Sequence, residues 1–133
     1  MALDPSALDD DVLAFLSERH LATLTTLRVD GTPHVVAVGF SYDADQHVAR
    51  VITWATSQKA LNAQRMEAAG QHAAVCQVDG GRWLSLEGPV RLVTDPDGVK
   101  PGVAGYAARY QQPKERDDRA VVEIDVQRIL GRG

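Results

Sequence analysis

The stretch VARVITWATSQKALNAQR, Val48–Arg65, decides how the chain folds. It opens as an alternating, β-branched run, Val48 to Ala55, which is strand chemistry. Thr56 and Ser57 follow, small hydroxyl residues suited to capping a helix. Gln58 to Ala69 holds no Gly or Pro and is rich in Ala, Gln and Leu, so it is expected to be helical. A strand that feeds a capped helix leaves backbone N–H groups free at the helix start, and these attract anions. Lys59, Asn62 and Arg65 recur at every third position and line one flank. Leu61 and Ala68 fall on the opposite side, available to pack. Two cations and an amide beside a hydroxyl-capped N-terminus make a candidate phosphate cradle. The same residues also suit the solvated flank of an ordinary capped helix.

Outward from this corner the chain reads as strands joined by tight turns. Asp9–Arg19 is expected to be a short helix with Val12, Leu13, Phe15 and Leu16 as its apolar stripe. His20–Val29 alternates as a strand, Asp30-Gly31 signals a hairpin, and Thr32–Tyr42 is the return strand. Asp43–Gln46 turns into the strand of the opening stretch, and the helix after it ends near Gly70. His72–Val78 and Arg82–Thr94 flank the turn Asp79-Gly80-Gly81, with Gly88-Pro89 expected to bend the second strand out of one sheet and into another. A second helical segment runs from Asp95 to about Tyr110, then a polar loop, Gln111–Asp118, and a closing strand, Ala120–Ile129. The expected fold is mainly β: one domain over residues 1–133, about six antiparallel strands with short helices, closed or half-closed into a small barrel. A β-sandwich is the second choice.

The formal net charge of −4 over 133 residues argues against a general nucleic-acid binder. The single cysteine, Cys76, lies in an apolar run, reads as a core residue and suits a cytoplasmic setting. No run reaches the length of a membrane span. His20, His34, His47 and His72 are scattered without metal-ligand spacing, and neither a G-x-S-x-G elbow nor a G-x-G-x-x-G fingerprint is present. Glu123 and Asp125 alternate on one face of the last strand and read as an exposed polar edge. Trp83 beside Arg82 offers an aromatic wall and a cation to a planar anion, or an anchor for a core or dimer interface.

Three segments together carry a resemblance: FLSERHLATLTTLRVDGTPHVVAVGF (Phe15–Phe40), ITWATSQKALNAQR (Ile52–Arg65) and QVDGGRWLSLEGPV (Gln77–Val90). With them the chain resembles the flavin/deazaflavin oxidoreductase superfamily of split β-barrels, which includes the pyridoxamine-phosphate-oxidase-like, FMN-binding proteins. Within it the chain is similar to the actinobacterial branch that uses coenzyme F420, and to its F420-dependent biliverdin reductases in particular.

The resemblance implies a homodimer with two clefts at the subunit interface, each holding one cofactor. Carried over by motif position, Thr53, Ser57, Lys59, Asn62 and Arg65 would bind its phosphate and acidic tail, with Gln58 helping through its backbone N–H. Pro33, His34, Val35 and Val36 would run along the ring system, and Gln77 and Trp83 would close the cleft, from the same subunit or from the partner. The implied reaction is hydride transfer from reduced F420 to a conjugated small-molecule acceptor of the biliverdin type. An FMN-dependent oxidoreductase and a non-catalytic pigment-binding module are the alternatives. A cofactor that carries its own hydride leaves the protein to bind and orient, consistent with a sequence that nominates no catalytic residue. For the propionates of a tetrapyrrole, Arg50, Arg82 and Arg109 are the candidate cations.

Overall fold

The computed structural model describes residues 2–133. Along the chain run β1 (Ala2–Leu3), α1 (Asp10–Ser17), β2 (Ala22–Leu27), β3 (Pro33–Val38), β4 (Ser41–Asp43), β5 (Val48–Trp54), α2 (Gln58–Ala69), β6 (His72–Asp79), β7 (Arg82–Val93), α3 (Lys100–Arg109), β8 (Arg119–Asp125) and β9 (Arg128–Arg132). The sheet order is β3-β2-β6-β7-β8-β5-β4, with β9 beside β7 and β1 beside β9. Every pairing is antiparallel.

Hairpin chemistry sets this order. Gly31 and Gly80 both take positive φ, at 85° and 60°, in the turns joining β2 to β3 and β6 to β7. β7 is the spine of the barrel. Trp83–Glu87 pair with β9, and Val90–Val93 pair with β8. The hand-over falls at Gly88-Pro89, as the sequence predicts. A Cβ on Gly88 would sit 1.7 Å from the Asp125 carbonyl oxygen, so only glycine lets the bend lie against the β8–β9 corner.

The sheet curls into a barrel but does not close. β3 is paired only with β2, and β4 covers β5 only from Val48 to Arg50. Val51–Trp54 and β3 therefore each keep one unpaired edge, and the two form the lips of the split. Phe15, Leu24, Phe40, Val75, Leu84, Leu86, Ile124 and Ile129 fill the interior, all fully buried.

Several expectations need correction. There are nine strands among the described residues rather than about six. The return strand breaks at Gly39-Phe40 into β3 and β4, the closing strand breaks at Val126-Gln127, and β1 adds a short pair. Helix α2 docks through Ala60, Ala63 and Met66, while Leu61 is 45% exposed and Ala68 is exposed. Ala60, Ala63 and Met66 recur every third residue on one face of the helix, and Leu61 lies off that face. Glu123 is buried, not an exposed edge: it accepts from Arg50 Nε at 2.9 Å and Arg91 Nε at 2.8 Å. Cys76 is only half-buried on β6, and burial pushes its thiol pKa up.

Candidate functional site

The corner between β5 and α2 forms as its sequence predicts. Ser57 is the helix N-cap, its Oγ accepting from Ala60 N at 3.2 Å. Thr53 Oγ1 donates to Ser57 Oγ at 2.7 Å, and both residues are buried. With Ser57 accepting twice, its own hydroxyl proton is left to donate, beside the first N–H groups of α2. Asn62 is fully buried beneath the helix, donating to Thr26 Oγ1 at 3.1 Å and accepting from Gln58 at 2.8 Å. Arg65 reaches the Leu27 carbonyl and Asn62. These bonds tie α2 to β2 and fix where the helix start points.

Lys59 extends from this corner into the split. Its Nζ lies 5.2 Å from the centre of the Trp54 ring, and Arg116 stands 5.0 Å from the same ring. Burial pulls the Lys59 pKa below its ordinary value, and no carboxylate opposes that pull. A cation held this way binds anions more strongly than one in open water.

The cleft has a volume of about 510 Å³. Ala37, Val38 and Gly39 of the first lip and Ile52, Thr53 and Trp54 of the second form its walls. Tyr106 of α3 and the segment Gln111–Arg119 roof it. Four cations line it, Lys59, Lys114, Arg116 and Arg119, and no carboxylate does, although the chain as a whole carries a net charge of −4. Arg119 donates to the Thr53 and Lys114 carbonyls, at 3.4 and 2.5 Å. Tyr106 and Tyr110 stack at 4.9 Å, with their edges against Gly39. A Cβ there would come within 2.9 Å of the Tyr106 ring, so glycine keeps the roof down.

The model of the family described as pyridoxamine 5'-phosphate oxidase matches residues 8–133. The chain belongs to that family. It is 54% identical over 124 residues to an F420H(2)-dependent biliverdin reductase of Mycobacterium tuberculosis, covering 93% of this chain and 88% of that protein. A solved structure named F420 Reductase superposes with a TM-score of 0.70 at 25% identity, over 92% of this chain and 98% of that one. A conserved hypothetical protein of M. tuberculosis superposes with a TM-score of 0.74 at 23% identity, over 94% and 84% of the two chains, which speaks to the fold alone.

On this family scaffold the nominated residues separate. Thr53 and Lys59 line the cleft, and Ser57 and Gln58 stand at its α2 corner. Pro33, His34, Val35 and Val36 lie on β3, whose far end forms the first lip, but the part that lines the cleft is Ala37–Gly39. His34 faces the α2 side opposite Thr26, with Nδ1 buried and unpartnered. Burial, Arg28 and Lys59 lower its pKa, favouring a neutral ring.

Gln77 does not close the cleft. It is fully buried, donating to the Phe15 carbonyl at 3.0 Å and accepting from Arg109 at 2.7 Å. Trp83 stands half-buried on β7 against Gly131 of β9 and does not line the cleft of its own chain.

The three arginines expected at the mouth are engaged elsewhere. Arg50 binds Glu123 and Asp43, Arg82 binds Asp79 and Glu18, and Arg109 is buried among carbonyls. The sequence reading missed Trp54, Tyr106, Lys114, Arg116 and Arg119. Trp54, at the end of a strand just before a hydroxyl cap, was the readable one. The others depend on where the loop after α3 folds back.

Proposed function

We propose that this chain is an F420-dependent oxidoreductase that reduces a conjugated tetrapyrrole of the biliverdin type, working in the cytoplasm as a homodimer of single-domain subunits. The observation that carries the reading is the cleft: two unpaired strand edges enclosing four cations and no carboxylate. A flat ring with donors and acceptors on its edge can take up hydrogen bonds the strands leave open. An acidic, phosphorylated side arm meets Lys59 and the free N–H groups of α2. The name of the mycobacterial relative supplies the cofactor and acceptor. Bound in its reduced form, F420 supplies the hydride.

The protein's own part is positioning. The Ser57 hydroxyl, held by Thr53, and the N–H groups of Gln58 and Lys59 anchor the phosphate end. Asn62 and Arg65 serve indirectly, by locking α2 onto β2. Trp54 and Tyr106 hold aromatic surfaces on two sides of the cleft, where they limit water and orient a conjugated acceptor. No lining residue is a carboxylic acid, so we assign the proton that accompanies the hydride to solvent entering the open cleft. Support for the dimer comes from large apolar residues left exposed, Val35 at 55%, Leu61 at 45% and Val78 at 62%. Pro33, Val35 and Trp83 then become candidates for contacts to the partner's cleft.

Equilibrium titration of the purified protein with F420 and with FMN, followed by fluorescence quenching, tests the cofactor. F420 is expected to bind at least tenfold more tightly, about 1.4 kcal/mol. The reverse order would turn the reading into that of a flavin enzyme. Steady oxidation of reduced F420 on adding biliverdin tests the acceptor, and tight binding of both without turnover would leave only a binding module.

A further inference from the structure

The cations of the cleft come from two parts of the chain, and Lys59 of one and Arg116 of the other both stand close to the Trp54 ring. One is Lys59, at the α2 corner. The other is the roof segment, with Lys114, Arg116 and Arg119. One anionic cofactor end accounts for the first group and leaves the second without a ligand.

We propose that the roof group, chiefly Lys114 and Arg116 beside Trp54, is the subsite that binds the carboxylates of the acceptor. It thereby selects conjugated acceptors bearing acidic side chains. The inference rests on the function proposed above and adds to it the residues that choose the substrate.

The charge pattern of the segment favours acceptor carboxylates over an oligoglutamate tail. Lys114, Arg116 and Arg119 are interleaved with Glu115, Asp117 and Asp118. Asp118 already accepts from Arg116 Nε at 2.8 Å and from a terminal guanidinium nitrogen at 3.1 Å. Past the segment the surface continues into a second hollow of about 320 Å³, which adds Glu115 and Asp117 to its lining. A run of glutamates leaving the cleft this way meets like charge. One or two carboxylates on a ring stacked near Trp54 meet Lys114, which has no carboxylate partner, and Arg116, whose guanidinium is shared with Asp118. Lys114 donates no side-chain hydrogen bond among the described residues, and Arg119 binds carbonyls alone, so at least two positive charges there have no carboxylate partner.

The test compares biliverdin with its dimethyl ester, which keeps the conjugated ring and removes both carboxylates. Equilibrium binding is followed by the absorbance shift of the pigment in the presence of oxidised F420. Wild type is expected to bind the diacid at least tenfold more tightly than the diester. In Lys114→Gln/Arg116→Gln the diacid weakens about tenfold while the diester stays within twofold, and Arg116→Lys recovers part of the loss. F420 affinity, measured separately with short and long glutamate tails, stays within twofold in the double variant. The proposal is overturned if that affinity falls with a loss that grows with tail length, because the roof then serves the cofactor. It is equally overturned if wild type reduces diacid and diester alike, an outcome that leaves the enzyme reading standing. If wild type neither binds nor reduces biliverdin, both fall together.

Discussion

The end of α3 and the start of α2 each bring a cation partly out of water, and burial lowers the pKa of both. They differ in what surrounds the charge. Arg109 donates to the carbonyls of Glu18 at 2.7 Å, Phe40 at 2.8 Å and Phe15 at 3.4 Å, and to Gln77 Oε1 at 2.7 Å. Its neighbour Tyr110 donates to the His20 carbonyl at 2.5 Å and accepts from Phe40 N at 3.2 Å. The anchor is saturated, and it holds together the end of α1, the β3–β4 corner and α3. Lys59 has an aromatic face and no anion. A saturated buried charge holds a fold together, whereas an unsaturated one awaits a ligand.

The largest expected break of this contrast is Arg109→Met. It strands several buried acceptors at once, at a cost of about 3 kcal/mol, or roughly 10 °C in Tm for a domain of this size. Urea unfolding would measure it, and a loss near zero would mean the anchor is dispensable.

Next comes Gly39→Ala, whose methyl group presses on Tyr106 and Tyr110. A cost of about 2 kcal/mol is expected, with weaker acceptor binding because the roof must lift. Stability lost without any change in acceptor affinity would detach the roof from the cleft.

Lys59→Ala should do the opposite of Arg109→Met. Stability should move by less than about 0.5 kcal/mol, while cofactor binding weakens at least tenfold, about 1.4 kcal/mol. An unfolding curve and a cofactor titration on the same sample separate the two effects.

The smallest expected effect sharpens the comparison by pH. The His34 pKa is lowered in the folded protein from its ordinary 6.5, so the unfolded chain binds more protons as pH falls. The stability contributed by its neutral ring is complete above 6.5 and is lost as pH drops through the folded value. His34→Gln should flatten that part of the stability–pH curve, and an unchanged slope would place the titration elsewhere.

What could be read from the chain was local. Asp30-Gly31 and Asp79-Gly80-Gly81 turn because Gly31 and Gly80 adopt positive φ, and Ser57 caps because its hydroxyl reaches an N–H three residues on. Gly88-Pro89 bends because two strands compete for one edge of β7. The misreadings share a cause. Gln77, Glu123, Arg50 and Arg109 each look like a free polar group along the sequence, and each finds its main partner at least 32 residues away. Leu61 looks like a packing residue by type, but the face that docks carries Ala60, Ala63 and Met66.

By itself the amino-acid order determined the strand–cap–helix corner, the hairpins and the antiparallel barrel, because turn geometry and side-chain period act over a few residues. Only the tertiary structure decided which cations are spent on carbonyls and carboxylates and which remain to face a ligand. Whether a charge is satisfied depends on atoms from distant parts of the chain arriving within hydrogen-bond reach, and no short stretch of sequence records that.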